Sequence, residues 1–261
     1  MLATAGAVGL VVAGAGCLVL VRHNGTAVAA DGGRTAAASA ATTAGAPVPA
    51  GRPTGPDQAK AAVAYPAAIP GLGPRTRARI PAASRQVLVA SGQAKNSSRT
   101  LVTLWSRTDD GHWRPGATWP AHNALHGWTD DHHSDDLHSP IGVFTLHDAG
   151  GLDADPGSKL PYHRSAAFRA GGVGFDGEPL DQAFDYVIAI DYNRVAGTSP
   201  LDGSQPLGAS RGGGIWVHVD HGGPTHGCVS IPAARMVELL RTLLPADHPV
   251  IVMGDRASLT A

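Results

Sequence analysis

Ile215-Trp-Val-His-Val-Asp220 is followed by His221-Gly-Gly-Pro-Thr-His-Gly-Cys-Val-Ser230 and then by Ile231-Pro-Ala-Ala-Arg-Met-Val-Glu-Leu-Leu-Arg-Thr-Leu-Leu-Pro245. The first six residues alternate as a strand does, with Ile215, Val217 and Val219 on one face and Trp216, His218 and Asp220 on the other. Gly222-Gly223-Pro224 supplies a turn, which returns the chain so that Thr225 to Cys228 lie beside His218. After the cysteine the spacing of Met236, Leu239, Leu240, Leu243 and Leu244 gives one apolar stripe at helical period. Ser230 is the expected cap, Pro232 suits a first turn and Pro245 is the stop. On this reading Cys228 lies within a residue or two of a helix amino-terminus.

Cys228 is the one cysteine outside the apolar amino-terminal run that contains Cys17. A thiol with no partner in its domain, set among three histidines, points to nucleophilic catalysis. A free thiol ionises at about 8.5, and a neighbouring imidazolium or helix amino-terminus lowers that value. His218, on the polar face of the strand, is the expected base. Gly227 lets a substrate approach the backbone, and the N–H groups of the helix start are the expected oxyanion donors. The bland alternative is a small buried hydrophobe. A second alternative is a metal-dependent hydrolase with His218, His221 and His226 as ligands, although no helical His-x-x-x-His spacing is present.

With 261 residues and 43% apolar content, the chain can fill one core and carry accessory segments. A net charge of −1 and the lack of a basic stripe argue against nucleic acid as a partner. Residues 1–22 read as a signal peptide or membrane anchor and predict an exported, extracytoplasmic protein. Residues 23–80, rich in Ala, Gly, Pro and Thr, read as a disordered linker. The catalytic domain is expected over 81–261.

Within it, short strands are expected at Gln86–Ala90, Leu101–Trp105, Val143–Leu146, Tyr186–Ile190, the His218 strand and Pro249–Met253, joined by Gly- and Pro-dense connectors. The fold class is therefore mainly β or α+β, with one helix following the cysteine. The run His132-His-Ser-Asp-Asp-Leu-His138 reads as a solvated polar loop. His112, His122 and His126 read as structural.

Thr225-His226-Gly227-Cys228-Val229-Ser230, with a strand histidine at 218, resembles the catalytic motif of the YkuD-type L,D-transpeptidases. Ser139-Pro-Ile-Gly-Val-Phe-Thr-Leu146 is similar to the family's Thr-Pro-x-Gly-x-Phe segment. Leu160-Pro-Tyr162 and Asp185-Tyr-Val-Ile-Ala-Ile-Asp-Tyr-Asn193 resemble segments of a secreted actinobacterial subgroup, so the likeness spans about residues 85–255. It implies a β-sandwich-type catalytic domain, without a cofactor or metal, that acts as a monomer on peptidoglycan stem peptides. Cys228 would attack the carbonyl of the third stem residue, with His218 as base, release the terminal D-alanine and pass the acyl group to an amine. Thr225, His226, Ser230, Trp216 and Tyr162 would contact substrate. The sequence departs from the family in its short segment between His218 and Cys228 and in Ser230, where Arg or Asn is usual. The orienting group for the histidine corresponds to Val219 or Asp220. Hydrolysis by the same site and a catalytically silent wall-binding module are the remaining alternatives.

Overall fold

A computed structural model describes residues 64–261. The strands are β1 (Gln86–Gly92), β2 (Arg99–Arg107), β3 (Trp113–His122), β4 (Trp128–Thr129), β5 (Ser139–Pro140), β6 (Gly142–Thr145), β7 (Ala149–Gly151), β8 (Tyr162–Arg164), β9 (Val187–Ala189), β10 (Trp216–Val219), β11 (Val229–Ile231) and β12 (Val250–Asp255). The α-helices are α1 (Pro74–Ala78), α2 (Ala233–Thr242) and α3 (Arg256–Leu259). The fold is mainly β. Ten strands form one mixed sheet in the order β6-β12-β1-β2-β3-β11-β10-β9-β7-β8, and β4 and β5 pair separately.

Alternation along β1 and β12 explains how the sheet is buried. Leu88, Ala90, Ile251 and Met253 face a core shared with Ile188, Val217, Val219, Val229, Ile231 and the α2 residues Met236, Leu239 and Leu240. Strands from both halves of the sheet thus contribute to one cluster, so the sheet curls around it. Leu243 joins this core, whereas Leu244, placed on the same stripe by periodicity, is largely exposed. Val87, Val89, Val250 and Val252 face the other way, into a second cluster completed by Ile69, Leu72, Trp113 and Leu259. Strands covered on both faces have continuous apolar sequences, as Val87–Ala90 and Val250–Met253 do.

That second cluster moves the start of the packed chain. Residues 65–80, expected within the linker, fold onto the sheet, with Ile69 2% and Leu72 3% exposed. The Trp113 N–H donates to the Pro66 carbonyl at 2.8 Å, and the Gly73 N–H to that of Leu259 at 2.8 Å. The apolar side chains at 69 and 72 join Trp113 and Leu259 in covering this face of the strands. The apolar segment 1–22 and most of the expected linker lie outside the described residues. Among the described residues, no helix is long and apolar enough to cross a membrane.

Six strands escaped the sequence reading: β4, β5, β7 and β8 are only two or three residues long, and β3 and β11 escaped for particular reasons. β3 contains Pro115, Gly116 and Pro120, which read as turn signals. The sheet accommodates them because a register shift falls at Thr103/Trp105, where Pro115 pairs, and because β3 meets β11 at the single position Ser230↔His122. β11 occupies the place where the helix cap was expected. Val229 and Ile231 bury their side chains in the core, which fixes Val229–Ile231 as a strand parallel to β10. α2 starts only at Ala233, with Pro232 as its N-cap.

Candidate active site

The register of β3, β11 and β10 builds the site. Val217 pairs with Val229 and His218 with Ser230 in the parallel β10–β11 ladder, and Ser230 pairs with His122 across the antiparallel β3–β11 ladder. Paired residues share a face, so His218, Ser230 and His122 stand in a row across three strands, opposite the core. Cys228 comes two residues before Ser230 on the central chain. The connection between the parallel strands, residues 220–228, brings the cysteine back to the level of Trp216. The Trp216 N–H points at the Cys228 Sγ at 3.4 Å, and the thiol donates to the Gly214 carbonyl at 3.6 Å.

The cysteine's main chain is held from two sides. Thr225 Oγ1 donates to the Cys228 carbonyl at 2.7 Å and Ser139 Oγ does so at 3.3 Å. Thr225 is itself buried, and its hydroxyl is committed to fixing the turn. Gly227 is confined by Ile215. A Cβ there would stand 2.8 Å from Ile215 Cδ1 and 3.8 Å from His132 Cε1. Its backbone N–H meets no acceptor among the described residues, an uncommon condition for a buried donor. The helix amino-terminus plays no part here, because β11 intervenes between Cys228 and α2.

His218 is 2% exposed, and its Nδ1 lies 2.9 Å from the Val219 carbonyl. A carbonyl only accepts, so Nδ1 carries the proton and Nε2 keeps the lone pair. This makes Val219, of the two residues considered, the partner of His218. Burial depresses the histidine to about 4, against a smaller opposing effect of the Val219 carbonyl, so its ring is neutral at pH 7. Asp220 turns instead to His122, with Oδ1 2.8 Å from Nδ1, and accepts from Ser230 Oγ at 2.7 Å. Ser230 is fully buried and committed to that carboxylate.

A segment not singled out in the sequence covers this face. Phe184 packs edge-on against both Trp216 and His218, with ring centroids 5.2 Å from each, and Phe168 packs against Trp216 at 5.6 Å. Phe175 lies 4.7 Å from the exposed His226 ring. Glu178 Oε1 accepts from His221 Nδ1 at 2.9 Å, and the His221 ring stacks on His218 at 5.7 Å. Two glycines make room for that carboxylate, since a Cβ at Gly174 or Gly223 would fall 2.0 Å from Glu178 Oε1. With residues 166–184 in place, Cys228 is 1% exposed.

The remaining predicted residues divide. Trp216 is beside the thiol, and its buried indole N–H has no hydrogen-bond partner. Tyr162 is on β8, three strands from β10 and so about 14 Å away along the sheet. Its hydroxyl donates to the Asp153 carbonyl at 3.2 Å. His132, read as part of a solvated run, is buried against Tyr192 at 5.2 Å. Among the described residues no three His, Cys, Asp or Glu side chains are arranged to hold a metal ion. Of the alternative ligand set, His221 turns its Nδ1 to Glu178 and the exposed His226 ring packs on Phe175.

Comparison of the chain with protein-family models, with curated proteins and with solved structures returned no match.

Proposed function

We propose that the protein is a peptidoglycan L,D-transpeptidase of the YkuD type, a cysteine acyltransferase that works outside the cytoplasm. The observation that carries this reading is the register of β10 and β11, with His218 two residues from the level of Cys228 on the adjoining strand and on the same face. A nucleophile next to an oriented base is the arrangement acyl transfer requires.

In the first half-reaction His218 Nε2 takes the thiol proton as Sγ attacks the carbonyl carbon of the third stem residue. The Val219 carbonyl steadies the imidazolium that forms. The Gly227 N–H is a donor free to meet the developing oxyanion. Collapse breaks the C–N bond, and the imidazolium proton passes to the departing D-alanine nitrogen. Because His218 starts neutral, it acts as a general base during attack and does not begin as a thiolate–imidazolium pair. Phe168, Phe175, Phe184 and Glu178 must move aside before a peptide reaches Sγ.

The deciding experiment is mass spectrometry of stem tetrapeptides and of muropeptides incubated with the protein or with Cys228→Ala. Loss of D-alanine with a thioester mass on the wild-type chain supports the reading, and activity retained in Cys228→Ala refutes it. Product masses also separate transfer from L,D-carboxypeptidase-type hydrolysis. Turnover lost on chelation and restored by zinc would favour a metal-dependent hydrolase instead.

A further inference from the structure

His218 is matched by a second imidazole on the opposite flank of Ser230. His122 ends β3 and is paired with Ser230, as His218 is from β10. With strands about 4.8 Å apart, the two histidines stand either side of the chain that carries Cys228. His122 differs from His218 in its surroundings. It is partly open, with 26% of its side chain exposed, and its Nδ1 lies 2.8 Å from Asp220 Oδ1. The carboxylate accepts, so Nδ1 holds a proton and Nε2 is the free basic atom. Asp220 is fixed in turn by the Ser230 hydroxyl at 2.7 Å. Ser230 and His122 both point at the carboxylate, so this is an oriented His–Asp dyad and not a serine nucleophile with its base.

We propose that His122 and Asp220 form a second acid–base dyad that prepares a primary amine, entering as its ammonium ion, to accept the acyl group from Cys228. This rests on the acyl-transfer reading above and names the class of acceptor. At neutral pH an alkyl ammonium has no lone pair and cannot attack. His122 Nε2 removes one proton and gives a neutral amine and an imidazolium held by Asp220. The amine nitrogen forms a bond to the thioester carbonyl carbon, the C–S bond breaks, and the sulfur leaves as thiolate. His218 takes the second N–H proton and returns it to Sγ. The proton on His122 goes to solvent, so thioester and ammonium become amide, thiol and one released proton.

The electrostatics suit that role. The hydrogen bond with Asp220 raises the pKa of His122 above the usual 6.5 despite partial burial, and Asp176 on the covering segment adds to the effect while Arg99 opposes it. Asp220 remains ionised because the hydrogen bonds from His122, Ser230 and the Gly222 N–H outweigh its burial. Two carboxylates beside an imidazole favour a cationic guest.

The test uses the full chain as wild type, His122→Gln and Asp220→Asn, acylated by a stem tetrapeptide. Thioester formation is followed by intact mass, and transfer is followed to two probes at pH 7: a D-amino acid, whose nitrogen is an ammonium, and hydroxylamine, whose nitrogen is largely neutral. Removal of a general base typically costs about 10²–10⁴-fold. Both variants are expected to lose at least about tenfold in transfer to the D-amino acid relative to hydroxylamine, and far less in acylation. Raising the pH should restore the D-amino acid reaction. Acylation retained by the variants shows that they are folded, and in wild type transfer to the D-amino acid should already proceed at pH 7, below the pH needed to restore it in the variants. Equal loss toward both probes, or no loss toward either, overturns the dyad while leaving the acyl enzyme intact. A Cys228 that no stem peptide acylates overturns the acyl-transfer reading itself.

Discussion

Acidification from pH 7 to 4 should destabilise the protein through His218 alone by about 3 kcal/mol. The ring is buried and neutral, with its pKa pushed down to about 4, whereas in the unfolded chain it returns to about 6.5. Between those values the unfolded state binds a proton that the folded state does not, so stability rises with pH in that window and falls as acid is added. At 1.36 kcal/mol per pH unit the loss is about 1.4 kcal/mol by pH 5.5 and about 3 kcal/mol by pH 4. Against a total of about 5–15 kcal/mol for ordinary domains that is readily measured. Urea unfolding at pH 7, 5.5 and 4, on wild type and on His218→Gln, isolates the effect, because other acid-sensitive groups are common to both. The wild-type advantage should shrink by about 3 kcal/mol over the range. A gap that stays constant within about 0.5 kcal/mol would show that His218 titrates normally. The acid limb of acylation should then lie near 6.5 and not near 4.

Three further outcomes follow from the packing. A chain beginning at residue 81 lacks Ile69 and Leu72 and should lose about 3–6 kcal/mol, taking roughly 1.5–3 kcal/mol for each buried side chain; a urea midpoint unchanged from that of a chain beginning at 64 would refute the second cluster's importance. Glu178→Gln weakens the tie to His221 and should raise the rate at which a small neutral electrophile alkylates Cys228 several-fold at pH 7, measured by intact mass; an unchanged rate would mean that residues 166–184 do not limit access. At Gly227→Ala the new Cβ crowds the movable end of Ile215 and makes ordinary contact with the His138 carbonyl and His132, so it should cost about 1 kcal/mol in thermal unfolding yet lower acylation by at least about tenfold by keeping substrate off this backbone, and unchanged acylation would exclude a close approach of substrate at Gly227.

The clearest strands in the sequence are the uninterrupted apolar runs Val87–Ala90 and Val250–Met253, because burial on both faces leaves no polar residue to blur them. The placement of His218 beside the cysteine was legible too, from the alternation of residues 215–220. What escaped was set by distant partners. Val229–Ile231 is too short to declare itself and is a strand only because β10 and β3 flank it. His122 looked structural because its meaning depends on Asp220, 98 residues away in the chain. Ser230 looked like a cap or substrate contact for the same reason. Phe168, Phe175, Glu178 and Phe184 sit in a polar, glycine-rich stretch whose function as a cover exists only when it meets Trp216, His218, His221 and His226.

The single-position pairing of β3 with β11 has a mechanical meaning. Within the ladder the two halves of the ten-stranded sheet meet only at Ser230↔His122, and the chain just beyond β3 is tied once more where Ala124 bridges Thr225. Cys228 and His218 belong to one half and travel together as a rigid pair through the β10–β11 ladder. His122 belongs to the other half, while its partner Asp220 follows β10, so the His122–Asp220 hydrogen bond is a stitch across the joint. A small shear there would leave Cys228 and His218 in register and still shift His122 relative to them. The fold thereby keeps the spacing of Cys228 and His218 insulated from whatever bends the sheet at its narrowest place.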